Sequence, residues 1–235
     1  MFERLGTALR VQPYDDLEAG WKALRRSRDI SVREVACIGA PRTLLCAEVG
    51  STSAPTVAIA AGVHGDEPAA AWALLSLVED GLLDPLFSYR LWPCNNPTGY
   101  RAGTRENAEG DDVNRSFTRG GQTPEAKAIM TANRDRKFVL SLDLHEDNEA
   151  EGFYCYCYEP TEVGSPIGTR VVESIAAAGL PLQALTHEFN LGAPLQTTQV
   201  TLTAGRVIPN LAAEMAGLGG LSYSLYVIRH AARRA

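Results

Sequence analysis

The stretch TVAIAAGVHGDEPAAAWALLSLVEDG, residues 56–81, decides how the chain folds. It opens on a short apolar run, Thr56 to Ala61, bounded by Gly62, which is the pattern of a buried strand. From Pro68 the composition turns to alanine and leucine, strong helix formers that stop at Gly81. Proline suits the first helical position, where its missing N–H removes no intrahelical bond. The reading is strand, tight turn, helix, with His64 and Glu67 three residues apart in the turn. Gly62 and Gly65 would let the chain turn sharply enough for both side chains to reach one point.

Upstream, Asp15 to Arg28 carries Leu17, Trp21 and Leu24 at helical spacing behind two acidic residues, an amphipathic helix whose basic cluster Lys22 to Arg28 faces solvent. REVACIG and RTLLCAEVG, joined at Ala40-Pro41-Arg42, read as a β-hairpin. Downstream, YRLWPCNNP is a strand closed by Asn-Pro, and TPEAKAIMTANRDR a helix with a Thr-Pro start. KFVLSLDLHE is a buried strand and GFYCYCYE an aromatic one. GTRVVESIAAAG is a helix, GRVIPNLAAEM a strand and SLYVIRHAARRA a final amphipathic helix. Such alternation predicts an α/β fold: three layers, α/β/α, around a mainly parallel mixed central sheet, in a single domain over residues 1–235.

The formal charge is −6 and no long basic block occurs, so neither nucleic acid nor an anionic membrane is an expected partner. No apolar run approaches the ~20 residues of a membrane-spanning helix. The N-terminus lacks the basic-then-apolar pattern of a signal peptide. Five cysteines, an odd number sitting mostly in apolar runs, point to reduced thiols and a cytoplasmic location. Cys155 and Cys157 would share one strand face, a spacing that does not match a structural zinc site.

In a largely parallel sheet, ligands gather at the carboxyl ends of the strands. His64 with Glu67, Asn95 with Asn96, and His145 with Glu146 each follow a different predicted strand, and Glu214 lies at or near the end of a fourth. Alone, His64 and Glu67 would read as a helix cap and a carboxylate favouring the helix dipole. Together with His145 they form the nitrogen–oxygen–nitrogen set of a catalytic zinc, with a position left for water. Asp143, two residues before His145, is placed to orient it. The polar loop from Asn95 to Phe117 adds Arg101, Arg105 and Arg115, whose guanidinium forks suit a carboxylate or an oxyanion.

HGDE, NPTG, TRENAEGDDVNRSF and DLHE occur in the order and style of the zinc carboxypeptidases with a funnelin-like α/β fold. The chain resembles that superfamily, which includes murein-peptide carboxypeptidases and the succinylglutamate desuccinylase/aspartoacylase branch. The resemblance is close from Thr56 to about Glu146 and looser beyond. It implies one Zn2+ per chain, held by His64, Glu67 and His145. It implies that Arg105 polarises the scissile carbonyl and that Asn114 and Arg115 grip a terminal carboxylate. A late glutamate would be general base and acid: Glu214, or in second place Glu188. No tyrosine lies between Thr186 and Pro209 to cover the substrate, a role His187 could take. The expected activity is a metallocarboxypeptidase acting on small peptides. Alternatives are an N-acyl amino acid deacylase and a non-catalytic module that binds carboxylates or peptides. A serine hydrolase is not expected, because no G-x-S-x-G elbow occurs.

Overall fold

In the computed structural model of the chain, residues 13–26, 29–117, 121–147, 152–156, 167–182, 202–203 and 206–207 are described. The chain divides into two compact units, Met1–Glu146 with Gly220–Ala235, and Asp147–Gly219.

The first unit is built on a five-stranded sheet. The apolar run of residues 56–61 forms β3 (Thr56–Ala61), buried from Val57 onward. Its neighbours are β4 (Ser88–Trp92) and β5 (Leu140–Leu144), both parallel to it. The predicted hairpin is β1 (Ile30–Ala36) and β2 (Thr43–Val49), antiparallel in the register Ile30↔Val49 to Ala36↔Thr43. β2 joins the sheet antiparallel to β4, so the order is β1-β2-β4-β3-β5. The sheet is mixed: parallel through β4, β3 and β5, antiparallel on the hairpin side.

Helices cover both faces. α1 (Tyr14–Ala23) and α2 (Pro68–Glu79) pack on one. Ala70, Ala71, Leu74, Leu75 and Val78 of α2 recur at helical spacing and meet Leu45, Val57, Ile59 and Leu91 of the sheet. Burial of one such leucine stabilises the fold by about 1.5–3 kcal/mol. On the other face, Ala126, Ala128 and Ile129 of α4 (Pro124–Ala132) pack with Leu44, Cys46, Ala60 and Trp92. The small side chains of β3 admit helices closely on both sides, which gives the three expected layers. α3 (Pro97–Ala102), a short helix that the Asn-Pro pattern did not announce, starts where Asn96 accepts from Gly99 N at 2.9 Å. A 3-10 turn spans Val113–Arg115.

β5 departs from expectation. It is half-buried rather than buried, with Leu142 36% exposed, and among the described residues it pairs only with β3. In the second unit, β6 (Cys155–Tyr156), β7 (Leu202–Thr203) and β8 (Arg206–Val207) form a sheet in the order β6-β8-β7, alongside α5 (Ile167–Ala177). β6 lies within the predicted aromatic strand, residues 152–159, and β8 within the predicted late strand, residues 205–215. The final helix predicted from SLYVIRHAARRA lies outside the described residues.

Candidate metal centre

After β3 the chain turns at Gly62, whose φ of 59° is the left-handed region glycine tolerates. The reason for Gly65 is different. A Cβ there would fall 2.0 Å from the carbonyl carbon of Gly99, so only glycine lets this turn lie on the start of α3. Gly65 N donates to Arg105 O at 3.4 Å, and Asn96 Nδ2 to the same oxygen at 3.1 Å. The β3 turn, α3 and the arginine-bearing loop are thereby tied at one carbonyl.

His64 is buried at 3% exposure, and Glu67 stands at the N-cap of α2. Glu67 does not cap the helix with its side chain. One oxygen lies 2.6 Å from His64 Nδ1 and the other 2.8 Å from His145 Nδ1. The second oxygen also accepts from Glu146 N at 3.1 Å. The helix end is served instead by Glu146, whose Oε1 accepts from Ala69 N at 2.5 Å. His145, partly exposed just past β5, has its other nitrogen 3.2 Å from Asp143 Oδ2, so the same-strand orienting contact expected of Asp143 is present.

Burial works against charge on all three groups, but their mutual contacts outweigh it. The two imidazoles hold the Glu67 carboxyl down at about 2. Asp143 and Glu67 lift His145 to about 10, and Asp112 and Glu67 raise His64. An ionised Glu67 this close assigns the Nδ1 proton of His64 to the Glu67 contact. Arg105 Nη1, 3.3 Å from the same nitrogen, therefore has no lone pair there to donate to.

Arg105 is steered by Asp112, a residue that sequence reasoning passed over. Its Nε and Nη2 donate to Asp112 Oδ2 at 3.2 and 3.1 Å. The other Asp112 oxygen accepts from Asn114 N at 2.8 Å and lies 3.5 Å from His64 Nε2. Burial opposes ionisation of Asp112, yet His64, Arg105 and Arg115 hold its carboxyl well below the usual range. Asn114 is buried, Arg115 is half-buried, and Arg115 Nη1 approaches Asn114 O at 3.4 Å. The signal in the sequence was the Asp111-Asp112 pair just ahead of Asn114 and Arg115.

The same loop is braced from behind. Asn107 Oδ1 accepts from Glu109 N and Asp111 N, while its Nδ2 donates to Glu125 Oε2 at 3.2 Å. Arg42, from the β1–β2 turn, donates to Glu125 Oε1 at 2.6 Å and pairs with Glu109. Arg101 is directed away from the centre, to Asp15 at 2.6 Å. Glu214, Glu188 and His187 lie outside the described residues.

The residues present fit a zinc ion. Ligand atoms of His64, Glu67 and His145 all lie within 4.8 Å of one another. Two imidazoles and one carboxylate are the donor set of a catalytic zinc. Both histidines turn Nδ1 toward Glu67 and have a carboxylate behind the ring, Asp112 Oδ1 3.5 Å from His64 Nε2 and Asp143 Oδ2 3.2 Å from His145 Nε2, as metal-ligating histidines do.

The sequence model of the succinylglutamate desuccinylase/aspartoacylase catalytic domain matches residues 53–205. Carboxypeptidase SOL1 of Arabidopsis thaliana is 35% identical over a match covering 35% of this chain and 21% of the plant protein, so the chain spans about a fifth of that relative. Among solved structures, a candidate metallopeptidase from Shewanella denitrificans superposes with a TM-score of 0.71 at 20% identity, over 93% of this chain and 78% of the other. A metallo-carboxypeptidase from Pseudomonas aeruginosa, solved in complex with (2-guanidinoethylmercapto)succinic acid, superposes with a TM-score of 0.56 at 17% identity, over 93% and 66%. At such identities these structures speak for the fold alone.

Proposed function

Because the chain belongs to the succinylglutamate desuccinylase/aspartoacylase catalytic-domain family, we propose that it is a zinc-dependent hydrolase that cuts an amide bond next to a free carboxylate, as a metallocarboxypeptidase of small peptides. The observation that carries the reading is the Glu67 carboxylate bracketed by His64 and His145, with Arg105 at its edge. Zinc there would supply Lewis acidity and a water that ionises near pH ~7.

The chain's own residues do the rest. Arg105, fixed by Asp112, presents Nη1 toward the centre, where negative charge develops on the scissile carbonyl oxygen. Asn114 and Arg115 hold the substrate's free carboxylate and so choose which amide bond reaches the centre. Glu214 takes a proton from the attacking water. The water oxygen bonds to the carbonyl carbon, the C–N bond breaks, and Glu214 returns the proton to the leaving amine. Glu214 falls in the last part of the sequence, so the working unit we assign is the whole chain, residues 1–235. Buried free thiols at Cys37, Cys46 and Cys94 support a reducing, cytoplasmic setting. Among the described residues no helix is long and apolar enough to cross a membrane.

Purified protein is expected to hold about one zinc, and His64→Ala or His145→Ala to lose it; stoichiometric zinc in both variants rejects the site. Glu214→Gln should keep zinc and lose hydrolysis, and if Glu188→Gln does so instead, Glu188 is the base. The family match favours a second reading, an N-acyl amino acid deacylase. A panel of dipeptides assayed beside N-succinyl and N-acetyl amino acids separates the two.

A further inference from the structure

We propose that Glu146 is a positioning residue that holds the metal site formed before an ion arrives. The inference rests on the reading of His64, Glu67 and His145 as zinc ligands. Those ligands come from two segments, and Glu67 and His145 stand 78 residues apart in sequence. β5 is paired with β3 only as far as Leu144, opposite Ala61. His145 is therefore the first residue beyond the last pairing, where a chain leaving a sheet is ordinarily loose.

Two bonds from the next residue counter this. The backbone N–H of Glu146 donates to Glu67 Oε2 at 3.1 Å. Its carboxylate accepts from Ala69 N at 2.5 Å in the first turn of α2. That N–H is open to Glu146 because the N-cap residue, Glu67, makes no side-chain cap bond and spends its carboxylate on the two imidazoles. Glu67 is thus freed for the centre because another carboxylate, 77 residues from Ala69, caps its helix. The same carboxylate clamps His145 against the helix that carries Glu67. Metal ligands depend on the groups that orient them, whose loss typically weakens metal binding about 10–100-fold.

A plain helix cap would give stability and nothing else, so the test reads zinc affinity beside stability. Full-length wild type, Glu146→Ala, Glu146→Asp and Glu146→Gln are stripped of metal, and zinc is titrated in competition with a chromophoric chelator. Thermal unfolding of each metal-free form is recorded in parallel. Glu146→Ala is expected to bind zinc about 10–100-fold more weakly. Glu146→Asp, with its charge kept but its reach shortened, is expected to weaken about tenfold in the same direction. Glu146→Gln, whose amide oxygen still accepts the N–H bond, should stay within about threefold of wild type. Wild-type affinity in Glu146→Asp, with or without a lowered Tm, overturns the proposal. So does a Glu146→Gln as weak as Glu146→Ala, because charge rather than the bond would then hold the ion. If Glu146→Ala does not fold, the Asp and Gln variants decide alone. A wild type that binds no zinc sinks the metal reading and this inference together. A wild type that binds zinc and hydrolyses nothing sinks only the hydrolase reading.

Discussion

Two nitrogens of Arg105 converge on a single oxygen, Asp112 Oδ2, and the third is left facing His64 and Glu67. A lysine could keep the charge but not this fork, because its ammonium cannot be held by one carboxylate and point elsewhere in a fixed direction. Arg105→Lys is expected to lower kcat/KM by roughly a hundred- to thousandfold while zinc content stays near one per chain. Steady-state kinetics beside metal analysis check this, and an unchanged kcat/KM removes Arg105 from the mechanism. The three ligand candidates could be picked out by their residue types and strand-end positions, whereas Arg105 was set apart from Arg101 and Arg115 only by the family resemblance. Asp112 could not. Asp111 and Asp112 are identical side chains in one polar loop, and the choice is made by backbone geometry. Asp111 gives its N–H to Asn107 Oδ1, whereas Asp112 caps the 3-10 turn and so faces Arg105. Glu67 was legible as a residue but ambiguous in role, since a carboxylate at a helix start usually serves the helix.

Elements meet at this site through close backbone approach. The turn after β3 lies on the start of α3, with Gly65 against Gly99. Gly65→Ala would drive a methyl group into backbone that cannot swing aside, and should destabilise the protein by about 3 kcal/mol or more. Gly103 is a control. It ends α3 at φ 67° with nothing within 4 Å of its missing Cβ, so Gly103→Ala meets only left-handed strain, about 1 kcal/mol. Urea unfolding of the two variants compares them, and equal losses would mean that the contact is not tight. The hairpin and the β3–α2 unit were readable because alternation and helix-stop residues are local. α3 was not, because six residues between an asparagine cap and a left-handed glycine leave no periodicity to detect. Nor was the brace from Arg42 through Glu125 to Asn107. Its carboxylate is fully buried, and its partners lie 83 and 18 residues away.

For the molecule as a whole, alternation of strands and helices was enough to predict three layers. It could not say how strands order in space or that contacts fall into two compact units. The half-buried state of β5 shows the gap. Its residues are apolar enough for a core strand, but burial depends on neighbours that sequence does not display. The candidate metal centre joins β3, α2 and β5, so an ion binding there would favour the folded chain over the unfolded one. Zinc at a hundredfold excess over its Kd should add about 2.7 kcal/mol to stability. Chelator-stripped protein is expected to melt at a lower temperature and to recover when zinc is returned. The same melting temperature with and without zinc would place the ion outside the folded core.

The order β1-β2-β4-β3-β5 also sets a clock. β3 emerges from a ribosome before either strand that will flank it, and His145 follows Glu67 by 78 residues. At synthesis rates of about 5–20 residues per second, that interval lasts roughly 4–16 s. Throughout it, one edge of an apolar strand stands open, the kind of edge that pairs with other chains. Two of the three proposed zinc ligands wait beside it without the third. An ion held by that set would therefore not guide the first steps of folding; it would only reward a chain that has already closed its sheet.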